Sequence, residues 1–280
     1  MTTSSPPDHT ASETGPVARI VPGRSAGIRW ALPSVVTVAL LVALWQIYVG
    51  ISGIRPQLLP SPGRVVEQGW AHRDEIGTHA AATLQVTLAG FAVSLTLAWL
   101  LAVVVDFSPW LRRAFVPLFV ASQTLPIIAI APLMIIWFGF GLLPKVLVVA
   151  LVTFFPMAIG LIEGFAAADR EAGALLRSMG ASRIQVFRYV RLPSAVPRFF
   201  TALRIGITYA VVGAVFAEYV GASEGLGIYM SLQKNSFRTD LVLAAVLVTA
   251  LLSIALYLLT FVVERIVAPW SRAENRSRRD

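Results

Sequence analysis

Six apolar stretches, each about as long as a bilayer demands, constrain this chain more than any other feature. A hydrocarbon core takes about 20 helical residues to cross, and runs of that order occupy residues 31–51, 80–105, 114–138, 143–165, 198–220 and 241–267. The expected fold is all-α, a polytopic membrane helical bundle of about six transmembrane helices. Composition agrees: 56% of the 280 residues are hydrophobic, 14% are charged and the mean hydropathy is +0.73, whereas soluble domains carry roughly a quarter charged residues.

Cysteine is absent, which excludes disulfides, thiolate catalysis and thiolate metal ligation. The three histidines, His9, His72 and His79, share no ligand spacing, so neither a metal nor another cofactor is expected in this chain. The net charge of +8 does not indicate nucleic acid, because the basic residues lie between the apolar runs. With six crossings both termini share a side, and 17 of the 23 basic residues fall on it. By the positive-inside rule the termini and residues 169–197 are therefore expected in the cytosol. Residues 1–29 read as a disordered cytosolic tail, 30–270 as the membrane domain and 271–280 as a basic cytosolic tail.

The third run contains Pro117, Pro126 and Pro132, each of which removes a backbone donor and tends to bend a helix. In lipid such breaks persist where neighbouring helices or a water-lined cavity satisfy the freed carbonyls. Two readings follow: a kinked packing helix, or a bend at Pro126 that brings Gln123 and Thr124 to a solute pathway. Between the first two runs, residues 59–62 form a rigid extended entry. Residues 63–70 then suit a short interfacial helix ending on Trp70.

The polar segment before the fifth run is the longest interruption of the apolar pattern. Over residues 169–179, Ala172, Leu175, Leu176 and Met179 share one helical face, while Arg170, Glu171, Arg177 and Ser178 lie largely elsewhere. Gly180 suits a left-handed stop, and Ser182, after Ala181, suits the cap of a second helix. That helix would carry Val186, Phe187 and Val190 on one side and Arg183, Arg188 and Arg191 on others. Two short helices meeting at a glycine make either a compact knob for a soluble partner or an amphipathic connector lying on the bilayer.

The segment resembles the EAA loop of permease subunits of bacterial ABC importers, a glycine followed by nine residues and then an apolar residue, any residue, Leu and Pro. Gly180 matches the glycine, Val190 the apolar residue, and Leu192 and Pro193 the close. The consensus Glu-Ala-Ala is replaced by Ala174, Leu175 and Leu176, and the nearest acid, Glu171, stands about one turn earlier. Residues 123–141, Phe154-Phe155-Pro156, residues 213–218 and residues 225–227 are similar to importer permeases for nitrate, sulfonates, taurine and thiamine or pyrimidine precursors. The likeness covers about residues 30–270. Ala217-Glu218-Tyr219, Thr239-Asp240 and Pro269-Trp270 look closest to members assigned to hydroxymethylpyrimidine or other thiamine precursors and to riboflavin.

The resemblance implies a non-enzymatic transport subunit whose polar segment is a coupling loop formed by Arg177, Gly180, Ala181, Ser182, Val190, Leu192 and Pro193. It implies three partners in the bilayer system: an ABC ATP-binding subunit, an extracytoplasmic solute-binding protein and a second permease copy. The chain has no G-x-x-x-x-G-K-[ST] loop, so ATP hydrolysis is expected on a separate subunit. Expected pathway linings are Gln123, Thr124, Pro126, Thr208, Tyr209 and Glu218, the last either meeting solute or standing in water near the outer side. Arg204 is placed to snorkel toward the interface. Gly206, Ala210, Gly213 and Ala214 give the fifth run a small-residue surface for close packing with a second copy. A membrane-embedded enzyme is disfavoured because no nucleophile or acid–base constellation lies inside the runs. A passive channel is disfavoured by the partner-binding loop.

Overall fold

The computed structural model describes residues 26–269, without side chains for 26–31 and 128. The expected tails thus fall largely outside the described residues, although the first helix starts at Ala26, inside the segment read as tail. The elements are α1 (Ala26–Ser52), α2 (Pro62–Ala71), α3 (Arg73–Phe107), α4 (Pro109–Ser122), α5 (Ile127–Phe138), α6 (Leu142–Ala166), α7 (Arg170–Ser178), α8 (Arg183–Val186), α9 (Leu192–Gly221), α10 (Leu226–Asn235) and α11 (Thr239–Val267). No strand occurs among the described residues. The described residues divide into two units between Tyr48 and Val49. The first contributes most of α1, an apolar helix long enough to span. The bundle described below belongs to the second.

Among the described residues, five helices are long and apolar enough to cross a membrane: Leu32–Ser52, Arg73–Phe107, Leu142–Ala166, Arg183–Gly221 and Thr239–Val267. The third apolar run departs from the expected single helix. It breaks into α4 and α5, and at about 1.5 Å per residue neither half reaches across a ~30 Å core. Pro126 is the cause, because its ring excludes the helical conformation at Leu125 and removes a donor. The turn satisfies itself with short-range bonds, Gln123 N–H to Val120 O (3.3 Å), Thr124 N–H to Ala121 O (3.1 Å) and Leu125 N–H to Ser122 O (3.2 Å). Pro117 and Pro132 sit inside α4 and α5 without ending them.

Helices α3, α6 and α9 form the core. Lipid tails are as apolar as a helix surface, so association here rests on van der Waals fit between small residues. Met157, Leu161 and Phe165 of α6 are buried against Ala98 and Ala102 of α3 and Ala195 and Phe200 of α9. Gly160 of α6 lets α9 approach so closely that a Cβ there would stand 2.3 Å from Cβ of Ala202. Gly160→Leu is therefore expected to abolish recovery of folded, monodisperse protein in detergent, since overpacking a tight core costs about 1–3 kcal/mol or more. Gly77→Leu, at a helical site with no atom within 4 Å of a Cβ, should be recovered like the parent. Equal recovery of both variants on size-exclusion chromatography would refute this account of the core.

Gly206, Ala210, Gly213 and Ala214 are consumed by the same core. Gly206 meets Met157 and Phe91, Gly213 meets Val149, and Ala210 and Ala214 are fully buried. The expectation that this surface serves a second copy is corrected: the small residues face α3 and α6 of their own chain. Arg204 has partners within its own chain. It pairs with Glu264 of α11 and lies over the Phe261 ring, 3.8 Å from its centroid.

Candidate functional site

The polar segment forms a structured protrusion at the end of the bundle where α3 and α6 finish. Asp169 caps α7, its carboxylate accepting from Glu171 N–H at 2.8 Å and Ala172 N–H at 3.4 Å. Gly180 ends α7 with φ +86°, a left-handed conformation that a Cβ disfavours. Gly180 N–H donates to Arg177 O at 3.0 Å and Ala181 N–H to Leu176 O at 3.0 Å, the pairing of a glycine C-terminal stop. Ser182 then opens α8 with a reciprocal cap: Gln185 N–H donates to Ser182 Oγ (3.3 Å) and Ser182 N–H to Gln185 Oε1 (2.7 Å).

The second arm is not a short, separate helix. Beyond α8, residues Phe187–Arg191 make one wide turn, in which Leu192 N–H donates to Phe187 O, and the helix continues through α9 to Gly221. Pro193 explains the wide turn: it has no N–H for the carbonyl four residues back, so the ladder shifts register just before it. Instead of closing a loop, Leu192 and Pro193 weld the protrusion to a membrane span. Arg191, at the end of the turn, donates to Asp106 Oδ2 of α3 at 2.7 Å, which ties the same joint to a second span.

The apolar residues of the protrusion divide. Val186 is buried and packs toward Gly173, Val190 is half-buried, and Leu175, Ile184, Tyr189 and Met179 remain exposed, Met179 at 76%. The face Ala172/Leu175/Leu176/Met179 thus does not pack wholly inward. Exposed apolar residues lie on both sides of Gly180 in the chain, interspersed with the exposed Arg177, Arg183 and Arg188.

The break between α4 and α5 borders a cavity of about 250 Å³ lined by residues that include Ser122, Gln123, Leu125, Phe155, Pro156 and Tyr209. Irregular backbone at membrane depth is tolerated where protein or a water-filled space lies beside it. Of the expected pathway residues, Gln123 and Tyr209 line this cavity. Thr124 and Pro126 belong to the adjoining turn but are not among its lining. Thr208 bonds within its helix, donating to Arg204 O at 3.1 Å, and its side chain is exposed.

Glu218 stands apart from the other expected pathway residues and does not face water. It is fully buried, and its Oε2 accepts from the Thr83 hydroxyl (2.9 Å) and from Gly227 N–H (3.0 Å). Thr83 Oγ1 accepts from Leu226 N–H at 2.8 Å, and Gly225 N–H donates to Nδ1 of His79 at 3.0 Å. The first amides of α10, orphaned by helix geometry, are thus satisfied by α3 and α9. Tyr229 of α10 is also fully buried, its ring 5.1 Å from that of His79, and burial pushes its hydroxyl up to about 12. The tie is a structural clasp at the opposite end of the bundle from Gly180.

A family described as the binding-protein-dependent transport system inner membrane component matches residues 90–273. The chain belongs to that family. It is similar to the riboflavin transport system permease protein RibX of Chloroflexus aurantiacus, at 36% identity over 92% of this chain and 98% of that one. It is also similar to the formylaminopyrimidine transport permease protein ThiX of Halalkalibacterium halodurans (36% identity, 84% and 94% covered) and to the taurine transport system permease protein TauC of Escherichia coli (32%, 86% and 92%). Among solved structures, an amino acid ABC transporter has a TM-score of 0.60 at 15% identity, covering 70% of this chain and 96% of that one. The MetNI methionine ABC transporter has 0.55 at 19%, covering 71% and 96%. These two likenesses concern the fold.

The permease carries polar ties that no local pattern announced. Asp106 with Arg191, His79 and Thr83 with the start of α10, and Asp240 with Arg64 (3.0 Å) each join residues far apart in sequence. The available signal was general: an ionisable group at the edge of an apolar run needs a partner.

Proposed function

We propose that this permease conducts a small organic nutrient inward, a pyrimidine-type thiamine precursor or riboflavin, and that an ATP-binding subunit drives it by gripping the protrusion around Gly180. The observation that carries this reading is the exposure of Leu175, Met179, Ile184 and Tyr189 on a segment welded to the span α9. A segment that exposes apolar residues, interspersed with guanidinium groups, and is stiffly joined to a membrane helix suits a groove on a soluble partner. With the termini and protrusion in the cytosol, as the basic residues favour, two copies of the chain would flank one pathway, and a solute-binding protein would deliver from outside.

Closure of the ATPase dimer would draw the two protrusions together. The continuous helix from Arg183 to Gly221 would carry that movement past the cavity at Gln123 and Tyr209, and the Arg191–Asp106 pair would carry it to α3. Access would alternate between two packed states. The identity to permeases named for riboflavin and formylaminopyrimidine supports the solute class.

The test is uptake of labelled aminopyrimidine and of labelled riboflavin by cells expressing the chain with its neighbouring ATPase and binding protein. Taurine, alkanesulfonate and nitrate serve as competitors. ATP-dependent uptake of a pyrimidine or flavin, unaffected by the other three, is the expected result. Uptake of a sulfonate or nitrate instead would refute the solute class and leave the coupling scheme standing.

A further inference from the structure

Beside the protrusion, where α3 ends and α4 begins, the bundle holds a cavity of about 380 Å³ whose lining includes Asp106, Arg112, Asp169, Arg170, Arg177 and Arg191. A second cavity of about 250 Å³ adjoins it around Asp106, Arg177 and Arg191, and adds Arg183. Five guanidinium groups therefore face two carboxylates. Both carboxylates are already engaged: Asp106 with Arg191 at 2.7 Å, and Asp169 with the first amides of α7. Arg112, Arg170, Arg177 and Arg183 have no acidic partner among the described residues. Guanidinium forks left unpaired around one cavity match the geometry of a phosphate.

A shallow groove of Pro109, Arg112, Arg113, Val116 and Pro117 runs along α4 and shares Pro109 and Arg112 with the basic cavity. Val120, one helical turn beyond Val116 on the same face, is exposed. Trp110 beside it is 74% exposed, and indoles of this kind settle at headgroup depth. A site with arginines at one end and an apolar furrow leaving it along a membrane helix fits an amphiphile.

We infer that this cavity binds the phosphate of an anionic phospholipid, with an acyl chain lying along α4. The inference depends on the membrane placement of the chain and not on ATPase coupling. A lipid held between Arg112 of α4 and Arg177 of α7 would brace the protrusion against the membrane surface, so that bilayer composition would bear on how stiffly it is held.

The experiment is native mass spectrometry of the purified full chain released from nanodiscs of phosphatidylcholine mixed with phosphatidylglycerol. The parent should retain phosphatidylglycerol preferentially. Each arginine near a membrane surface contributes about fivefold to the binding of anionic lipid, so Arg112→Gln should lower the preference about fivefold and the double variant with Arg177→Gln about 25-fold. Arg55→Gln, which removes the same charge from a distant loop, should change nothing. If the double variant does not fold, Arg112→Gln alone, on an exposed face, carries the test. Unchanged preference in Arg112→Gln, or an equal loss in Arg55→Gln, would overturn the site. Inorganic phosphate protecting the chain against heat as well as phosphatidylglycerol does, through Arg112, would overturn the lipid assignment in favour of a soluble anion. Failure of Gly180 variants to transport leaves all these outcomes unaffected, so the two readings fail separately.

Discussion

Gly180→Trp is expected to abolish ATP-driven uptake while the protein still inserts and folds. The position has φ +86°, and a Cβ built there meets no atom within 4 Å, so a side chain starts into open space. The cost within the monomer is that of a left-handed residue, on the order of 1–2 kcal/mol, borne by a surface turn. The indole would project from the turn between Leu175 and Met179 on one side in the chain and Ile184 and Tyr189 on the other. Blocking the middle of a docking surface typically costs 2 kcal/mol or more, about 30-fold in affinity. Gly180→Asn is the informative companion, because asparagine tolerates the left-handed region and adds little bulk. It should retain most uptake. Co-purification of the ATPase with each variant reads the same contact directly. Normal uptake and normal ATPase recovery in Gly180→Trp would eliminate the proposed grip.

The second large effect concerns Glu218, for which the geometry implies a structural duty. Glu218→Leu should lower thermal stability, because it strands Gly227 N–H in a buried site, while the Thr83 hydroxyl keeps His79 O as an acceptor at 3.1 Å. One unsatisfied buried donor costs about 1–3 kcal/mol. Glu218→Gln keeps a side-chain acceptor for both donors and should be far milder, with uptake at parental KM. A solute-binding role predicts the reverse pattern: Gln would impair KM, and Leu would fold normally but fail to transport. Thermal unfolding in detergent beside the KM of uptake separates the two roles. Leu at full stability would end the clasp interpretation.

Much of this architecture was legible in the chain because bilayer physics compresses the choices. Runs of about 20 apolar residues must be satisfied by their own hydrogen bonds, and α3, α6 and α11 fall where that requirement places them. The caps of the protrusion were equally legible. Asp169, Gly180 and Ser182 act through neighbours no more than five residues away, so sequence spacing already contains the geometry. Pro126 was visible as a disturbance, but its outcome was not: Pro117, Pro126 and Pro132 remove the same donor, and only Pro126 ends a helix.

What remained hidden depends on partners distant in sequence. Glu218 read as a residue facing water or solute because nothing near it in the chain reveals that the start of α10 folds back to lay Gly225 and Gly227 against it and that α3 brings Thr83 to it. Gly206, Ala210, Gly213 and Ala214 read as a face for another copy because small residues signal close packing without naming the partner, and α6 takes that face. Leu192 and Pro193 read as the end of a loop, whereas the wide turn at Phe187–Arg191 absorbs the lost hydrogen bond and lets one helix run from Arg183 into the membrane. By itself the sequence determined helix content, membrane placement, caps and family, all of which follow from local hydrogen-bond satisfaction and the thickness of the bilayer. Tertiary structure alone decided which buried polar groups meet, which small residues are spent in the core and which apolar residues stay exposed around Gly180. Each of those is settled by contact between segments whose separation in the chain carries no information about their distance in space.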